Sequence, residues 1–576
     1  MNDKIYRADL SKMKAWIEDI PENWKSLGGR GLTSAVVASE VEPLCHPLGK
    51  NNKIVFAPGL LSGTTAANTG RLSAGAKSPL TKGIKESNSG GTSAQLFARA
   101  GIKALIIEGL PENKDEFYGI RIKKDSIEIE KTNLWGKGNF ETIEALSKGN
   151  EKRGVISIGV AGEMKMAAAN ISVKDPQGKI RSLGRGGLGA VMGSKHIKYV
   201  VVEPSENDQV HIEDPEKFKE AARKFAKALM AHPVSGEGLP TYGTNILTNV
   251  LHEAGGLPTR NFSSGNFEGH DKISGETMHD LIEERGGKVR HGCHAGCVIQ
   301  CSQVYNDKDG NYLTSGFEYE TIWATGANCG ISDLDSLAYA DNLMDDIGID
   351  TIETGAAVAV AMEAGVLEFG DSKGFVKIVE QDIKNGTPLG RIIGAGAEVT
   401  GKVFGVTRVP VVKGQALPAY DPRAVKGIGI TYATSPMGAD HTAGYSVTSN
   451  ILSVGGFIDP LKKEGQIELS RNLQIATASL DTAGLCIFTA FAILDNPQAM
   501  EAIVDMLNAK SGSSITGDDV MSLGASVLKM EREFNKRAGF NEKDDRLPEF
   551  FSLEKCPPHN VIWDFTDEEI DSFWNF

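Results

Sequence analysis

PEKFKEAARKFAKALMAHP, residues 215–233, is where the texture of this chain changes to helices: its apolar residues return with a 3.6-residue period and it opens on proline. Before it lie short β-type runs, NKIVFAPG (52–59), KALIIEGL (103–110), YGIRIKKDSIEIEK (118–131), GVISIGVAG (154–162) and IKYVVVEP (197–204), separated by glycine-rich loops. After it come GTNILTNVLHEAGG, SGETMHDLIEERGG, SDLDSLAYADNLMDDIG and TIETGAAVAVAMEAGVL, all helical in period and stopping at glycine. A proline-rich loop near VTRVPVVKGQALPAYDPR then leads to IELSRNLQIATASLDTAG and ITGDDVMSLGASVLKMEREFNKRAG. The expected fold class is α+β: a β-rich domain over 1–206, then two mostly α-helical domains over 207–415 and 416–576.

At 576 residues the chain exceeds a single core. With 24% charged and 40% hydrophobic residues it has the composition of a globular protein, and its 66 glycines follow no collagen-like period. A net charge of -14 argues against nucleic acid as a partner. No apolar run reaches the roughly 20 residues of a membrane span, and MNDKIYRADLSKMKAW lacks the apolar core of a signal peptide, so the expected location is the cytoplasm, without a membrane partner. Seven cysteines in such a chain read as thiols or metal ligands rather than as a disulfide framework.

Three of them, Cys293, Cys297 and Cys301, stand four apart in RHGCHAGCVIQCSQV (290–304). On a helix they would line one stripe; in a loop they would wrap a compact object. His294, Gln300 and Ser302 interrupt any apolar face, and ERGGKVRHG reads as a loop, so metal ligation is preferred to a buried stripe. Zinc favours paired C-x2-C elements, whereas an iron–sulfur cubane takes clustered thiolates with a distant fourth. Cys45, Cys329, Cys486 and Cys556 are the candidates for that fourth. Cys486 stands out because it ends DTAGLC (481–486), which pairs with DDIGID (345–350) in a common D-x-x-G-x-[CD] pattern. In both, an Asp sits in the last turn of a helix, against the negative end of the dipole. A cost repeated at two matching places points to carboxylates that accept hydrogen bonds from something.

GRGGLG (184–189) fits the dinucleotide pattern, but its lead-in DPQGKIRSL is polar and no acidic residue follows at the right distance. What remains is a set of glycine-rich turns with cations and amides: GGRG (28–31), NTGRLSAGAKSP around Arg71, KESNSGG around Asn88, and IRSLGRGGLG around Arg181 and Arg185. Four in one domain suit a phosphorylated cofactor.

GGRG, GRLSAGAKSP, SNSGG, GRGGLGAVMGSK, FEYET, DDIGID and DTAGLC, in this order over nearly the whole chain, resemble the aldehyde:ferredoxin oxidoreductases, tungsten-pterin enzymes. The resemblance implies a β-rich base carrying two pterin dithiolenes with one tungsten, or molybdenum, between them. It implies that Asp345 and Asp350 hold one pterin, and Asp481 and Leu485 the other. Cys293, Cys297, Cys301 and Cys486 would ligate a [4Fe-4S] cluster, although the family spacing is C-x2-C-x3-C and here it is C-x3-C-x3-C. Arg71, Asn88, Gly90, Arg181, Ser182, Gly184 and Arg185 fall where the family contacts the pterin phosphates and a bridging Mg2+.

The activity so implied is oxidation of an aldehyde to a carboxylic acid with water, electrons leaving through the cluster to ferredoxin or a similar carrier. In GFEYETIW, Glu320 is the expected general base, with a pKa raised by burial, and Glu318 the runner-up. His441, in SPMGADHTAGY, is expected beside the substrate oxygen. Arg285, Lys288, Arg290, His291 and His294 form an expected basic patch for an acidic ferredoxin. The alternatives are a relative acting on another substrate, reductive or non-redox, and a non-catalytic iron–sulfur or zinc protein. A homodimer or an electron-transfer subunit is left open.

Overall fold

The computed structural model describes residues 3–205 and 208–576, and the domain boundary expected at 206/207 falls on residues outside these. The first part holds two six-stranded sheets. β1 (Lys4–Asp9), β2 (Lys14–Asp19), β3 (Ile54–Pro58), β4 (Leu72–Lys77), β5 (Ile84–Ser89) and β6 (Ile102–Glu108) are arranged in the order β2-β1-β6-β3-β4-β5. β7 (Tyr118–Lys123), β8 (Ser126–Lys131), β9 (Gly154–Ser157), β10 (Ile171–Lys174), β11 (Ile180–Leu183) and β12 (Ile197–Val202) run β8-β7-β12-β9-β10-β11.

These are the same order: every strand of the second sheet takes the place of the strand six earlier. Among the described residues only β1/β6 and β7/β12 pair in parallel, again matching positions. Helices also match, with Gly29–Glu40 and Asn139–Ser147 between second and third strands, and Ser93–Arg99 and Leu188–Ser194 between fifth and sixth. The β-rich part is thus a doubled unit. Phe56 and Leu105 of one sheet share a core with Ile120, Ile156 and Val200 of the other.

Two stretches expected as glycine-rich turns are strands. LSAGAK is β4 and IKESNS is β5, and both are largely buried. The small residues serve packing: a Cβ on Gly75 would come 2.6 Å from Cβ of Thr33, so only glycine lets the helix Gly29–Glu40 lie this close. KVRH, expected as loop, is the strand Lys288–His291 of a small three-stranded sheet. GRGGLG does follow a strand and open a helix, but β11 is an antiparallel edge strand, not the central parallel strand of a dinucleotide fold.

The remaining chain is mostly helical. Helices Leu334–Ile347 and Gln466–Ala483 stop at Gly348 and Gly484, whose φ of 75° and 82° supply left-handed C-caps. The helix Gly517–Arg537 packs on Gln466–Ala483 and on Gly29–Glu40. There Arg30 grips Glu531 bidentately, Nε–Oε1 2.9 Å and Nη2–Oε2 2.8 Å, with both side chains buried. Among the described residues no helix is long and apolar enough to cross a membrane.

Candidate active site

The two D-x-x-G-x-[CD] strings dock on the doubled unit in matching ways. Gly59 follows β3 and Gly159 follows β9. A Cβ on Gly59 would lie 2.1 Å from Cα of Gly484, and one on Gly159 would lie 2.1 Å from the carbonyl oxygen of Ile347, beside Gly348. The residue before β4, Arg71, donates its N–H to the Gly484 carbonyl at 3.3 Å; the residue before β10, Asn170, donates to the Gly348 carbonyl at 3.0 Å. Each half of the base therefore seats one motif through close backbone contact.

Beside the Asp481 motif lies a cavity of about 170 Å³ lined by Arg30, Arg71, Glu86, Asn88, Gly184, Arg185, His441 and Asp481, among others. Asp481 accepts from Asn88 Nδ2 at 3.2 Å and from Arg30 Nη1 at 3.4 Å, and Arg71 Nε holds Asn88 Oδ1 at 2.7 Å. Burial, then the Asp481 charge, pushes Glu86 up to about 8. Burial, then Asp341, pushes the Asp345 carboxyl well above its usual range, against the pull of Arg181. Among the described residues no group donates a hydrogen bond to the Asp345 side chain. Such a desolvated, unpaired acceptor fits a ligand carrying N–H donors, as a pterin ring does. A Cβ on Gly184 would meet nothing within 4 Å, which leaves room beside the guanidinium groups for a bulky anionic ligand.

The other expected contacts are placed as follows. Arg185 is engaged by the protein, through Asp350 (3.2 Å), Glu353 (3.3 Å) and the carbonyls of Ala416 and Ala439 (2.8 Å each). Asp350 caps the helix Thr351–Glu363 through the Ile352 N–H at 2.9 Å. Arg181 binds Asp175, which also takes His291 at 2.7 Å. Ser182 pairs with Ser172 across β11/β10. Leu485 is buried in an apolar cluster, its N–H bonded to the Leu480 carbonyl at 3.0 Å.

Next to this cavity, and sharing His441, Thr442 and Ile487 with it, is a smaller one of about 60 Å³. Its walls are mostly apolar, from Leu247, Leu473, Phe488, Phe491 and Leu494, with Glu320, Thr244 and Tyr445 as polar points. Glu320 Oε1 lies 3.0 Å from His441 Nε2 and accepts from the Tyr420 hydroxyl at 2.8 Å, which sits 2.9 Å from that of Tyr445. The expected rise of the Glu320 pKa is not found. Burial would raise it, but His441 and the Tyr420 hydrogen bond prevail and hold it below its usual value. It is Glu318 that burial pushes up, to about 7, despite the Thr244 hydroxyl at 2.6 Å. Among the described residues Nδ1 of His441 is buried and has no hydrogen-bond partner.

The cysteine segment is a chain of turns, which excludes a helical stripe. Cys293 and Cys297 are near neighbours, and Cys301 stands close enough to Cys293 and Cys486 to feel their charge. Burial pushes Cys486 up to about 11 and Cys301 well above the ordinary thiol value, whereas the hydrogen bond from Cys297 holds Cys293 well below it. Three of the crowded, dry thiols, Cys297, Cys301 and Cys486, thus resist ionisation, and a polycationic centre in their midst is what would relieve this, so the donor set fits a metal cluster. Asn68 ties the segments together: its carbonyl accepts from the Cys486 N–H at 2.9 Å, its Oδ1 from the Val298 N–H at 3.0 Å, and its Nδ2 reaches Cys297 Sγ at 3.5 Å. Gly90 abuts Cys293, since a Cβ there would lie 2.7 Å from Sγ.

The expected basic patch does not form. Arg285 is paired with Asp335, His291 is buried on Asp175 and His294 is buried, which leaves Lys288 and Arg290 exposed. Asn68, Thr244, Tyr420, Tyr445 and Arg30 were not singled out from sequence. Of these, Arg30 lies within GGRG, Asn68 opens NTGRLSAGAKSP and Tyr445 closes SPMGADHTAGY, whereas Thr244 and Tyr420 lie in no string read as a site.

Comparison with known proteins gives a consistent picture. Residues 5–204 match the family model described as aldehyde ferredoxin oxidoreductase, N-terminal domain, and residues 220–574 match that for domains 2 and 3. The chain is 37% identical over 577 residues to the tungsten-containing aldehyde ferredoxin oxidoreductase of Thermococcus kodakarensis, covering 96% of this chain and 92% of that one. It is 36% identical to the Pyrococcus furiosus protein of that name, with the same coverage. It is also 27% identical to the WOR-like subunit of a P. furiosus aliphatic sulfonate oxidoreductase, covering 96% and 89%. Among solved structures, the active-site complex BamBC of benzoyl coenzyme A reductase in complex with 1,5-dienoyl-CoA shares the fold, with a TM-score of 0.80 at 19% identity over 99% of this chain and 93% of that one. A doubled β base seating two matching aspartate motifs, with four thiols behind them and matches to both family models over most of the length, places the chain in the aldehyde ferredoxin oxidoreductase family of tungsten oxidoreductases.

Proposed function

We propose that the protein oxidises an aldehyde to a carboxylic acid with water, the electrons leaving through a [4Fe-4S] cluster to ferredoxin or a similar carrier. The observation that carries this reading is the Glu320–His441 pair at the foot of a small apolar cavity that adjoins the cofactor cavity. In the cofactor cavity beside it a tungsten or molybdenum bispterin would supply the two-electron redox chemistry, and a cluster held by the cysteines would supply the one-electron outlet.

The chain's own groups then have definite tasks. Asp345 and Asp481 would accept from the pterin rings, and Arg71 with Asn88 would hold the phosphate side of the cofactor and its Mg2+. Cys293, Cys297, Cys301 and Cys486 supply the sulfur donors. The apolar walls take the hydrocarbon part of the aldehyde and keep bulk water from its carbonyl. Glu320, ionised through its contacts with His441 and Tyr420, takes the proton of the attacking water; His441, oriented by that carboxylate, faces the substrate oxygen. Glu318, with a pKa near neutrality, accepts from the Thr244 hydroxyl of the cavity wall and is placed to exchange a proton with the site through it.

Aldehyde-dependent dye reduction by anaerobically purified protein, with metals and acid-labile sulfide measured alongside, tests the reading. Tungsten or molybdenum, iron and sulfide with turnover of simple aldehydes would support it. A full metal complement with no turnover of any aldehyde, but turnover of a sulfonate or reduction of an acyl or aryl substrate, would move the chain to another activity within its family. Zinc alone would overturn the redox mechanism.

A further inference from the structure

The cavity beside Glu320 does not end at its apolar wall. Leu473, Thr477, Ala490 and Leu494 of that wall also line a second cavity, of about 1000 Å³. At about 60 Å³ the small cavity alone falls short of the roughly 300–1,000 Å³ of sites that enclose a whole organic ligand; with its neighbour it reaches that range. Two helices shape the larger space. Leu473, Ala476, Leu480 and Ala483 of the helix Gln466–Ala483 line it, and so do Met500, Ile503, Leu507 and Lys510 of the helix Pro497–Ser511. Both sets have the spacing 3-4-3, which is one stripe of a helix, and each advances about 15 Å along its axis. The two cavities meet at the near ends, Leu473 and Thr477 on one helix and Ala490 and Leu494 just ahead of the other. The far ends come together at Leu60, whose N–H donates to the Thr482 carbonyl at 3.1 Å and whose carbonyl accepts from Lys510 Nζ at 2.5 Å. The larger cavity is therefore an apolar slot about 15 Å long that leads away from Glu320 and His441.

The far end of the slot is cationic. Lys510 closes an otherwise apolar stripe, and Lys103 of β6, also on the wall, stands close enough for its charge to act on Lys510. Burial, then Lys103, pushes the Lys510 ammonium down to about 8, and burial lowers Lys103 as well. Among the described residues Lys510 pairs with no carboxylate, and Lys103 has only Asp3, at 3.6 Å. Of the other acidic groups on the wall, Asp519 is tied to Thr516, Glu213 lies 2.9 Å from His211, and Asp518 is exposed. Two desolvated ammonium groups that repel each other are stabilised by an anion set between them. A zig-zag of carbon–carbon bonds of about 1.5 Å advances about 1.3 Å per carbon, so the slot takes about twelve. Resting on the aldehyde reading above, we propose that the substrate is an aliphatic aldehyde of about twelve carbons with an anionic group at its other end, its chain lying in the slot and its anion held by Lys103 and Lys510.

The test is dye reduction by the holoenzyme, its heavy metal, iron and sulfide measured first, with butanal, dodecanal and 12-oxododecanoate. From butanal to dodecanal kcat/KM is expected to rise by about tenfold or more, mostly through KM, since each buried methylene contributes up to about fourfold. 12-Oxododecanoate should exceed dodecanal by about tenfold again, the equivalent of one hydrogen bond to a charged group. That preference, read as the ratio of the two kcat/KM values, should fall towards one in Lys510→Gln and in Lys103→Gln. Taking the ratio within each variant cancels any general loss of active enzyme. Equal kcat/KM for butanal and dodecanal overturns the slot and leaves the aldehyde reading standing. Dodecanal favoured over 12-oxododecanoate, or a ratio unchanged in both lysine variants, overturns the anionic end. No turnover of any aldehyde by fully metallated enzyme overturns this substrate and the aldehyde reading together.

Discussion

Nε2 of His441 lies 3.0 Å from Oε1 of Glu320, which makes one unit of two side chains that are 121 positions apart in the sequence and come from different helical parts of the chain. Glu320→Gln preserves shape and the Tyr420 contact but removes the proton acceptor. Turnover is expected to fall by about 10²–10⁴, the range of general-base contributions, with metal content unchanged. The sign of the pH effect follows from Glu320 being held below its usual value: its ionised form is present at neutral pH and is lost only as pH falls through that lowered value. A kcat/KM profile should therefore show no Glu320 limb near pH 7. Any limb there belongs to another group such as Glu318, and should vanish in Glu318→Gln.

Asn68 joins the loop of Cys297 to the segment of Cys486 by three hydrogen bonds of different kinds. Asn68→Ala removes the two side-chain contacts and leaves the backbone carbonyl in place. Iron per chain should drop, and the bleaching of the cluster absorbance in air should quicken. Asn68→Asp keeps the acceptor for Val298 but not the donor to Cys297, and should fall between the two.

Glu86 gives the cofactor-free protein a pH dependence of stability. Its folded pKa, about 8, is above its ordinary 4.5, because it is desolvated beside Asp481. The folded state therefore keeps a proton that the unfolded chain has lost. This contribution is fully present below pH 4.5 and is lost as pH rises towards 8, at up to about 1.4 kcal/mol per pH unit. The thermal midpoint of apo-protein should be lower at pH 8 than at pH 6, and Glu86→Gln should flatten that slope.

The helical elements, their glycine stops and the two aspartate motifs were legible because a 3.6-residue period and a C-cap are local signals. β4 and β5 were not. Gly75 and Ala76 have poor strand propensity; Gly75 admits the helix at Thr33 and Ala76 packs in the core between the two sheets, tertiary reasons that a window of sequence does not contain. The doubling of the base was hidden for the same cause: it lives in strand order and in the seats at Gly59 and Gly159, not in similar residues. The four cysteines could be assembled from a motif, whereas Tyr420 and Thr244 stand in no site pattern, and Tyr445, though in the string that carries His441, joins the site only by where the fold brings it. The sign of the Glu320 shift depended on one such partner, Tyr420, and on His441 lying in contact rather than merely nearby.

Two glycines of the base separate what the backbone needs from what the cofactor needs. At Gly59 a Cβ would sit 2.1 Å from Cα of Gly484, backbone against backbone, so neither side can yield without moving the Asp481 motif. Gly59→Ala should lower the thermal midpoint of apo-protein, by the equivalent of about 1–3 kcal/mol for overpacking, and should lose tungsten or molybdenum as well. At Gly184, where a Cβ meets no protein atom within 4 Å, alanine adds a methyl group to the cavity alone. Gly184→Ala should leave the apo midpoint within about 0.5 kcal/mol of the parent and still reduce heavy-metal content, because the methyl group takes space meant for the cofactor. Equal loss of apo stability in both variants would mean that Gly184 is held by the fold rather than kept clear for a ligand. Unchanged metal content in Gly184→Ala would move the cofactor away from this wall of the cavity.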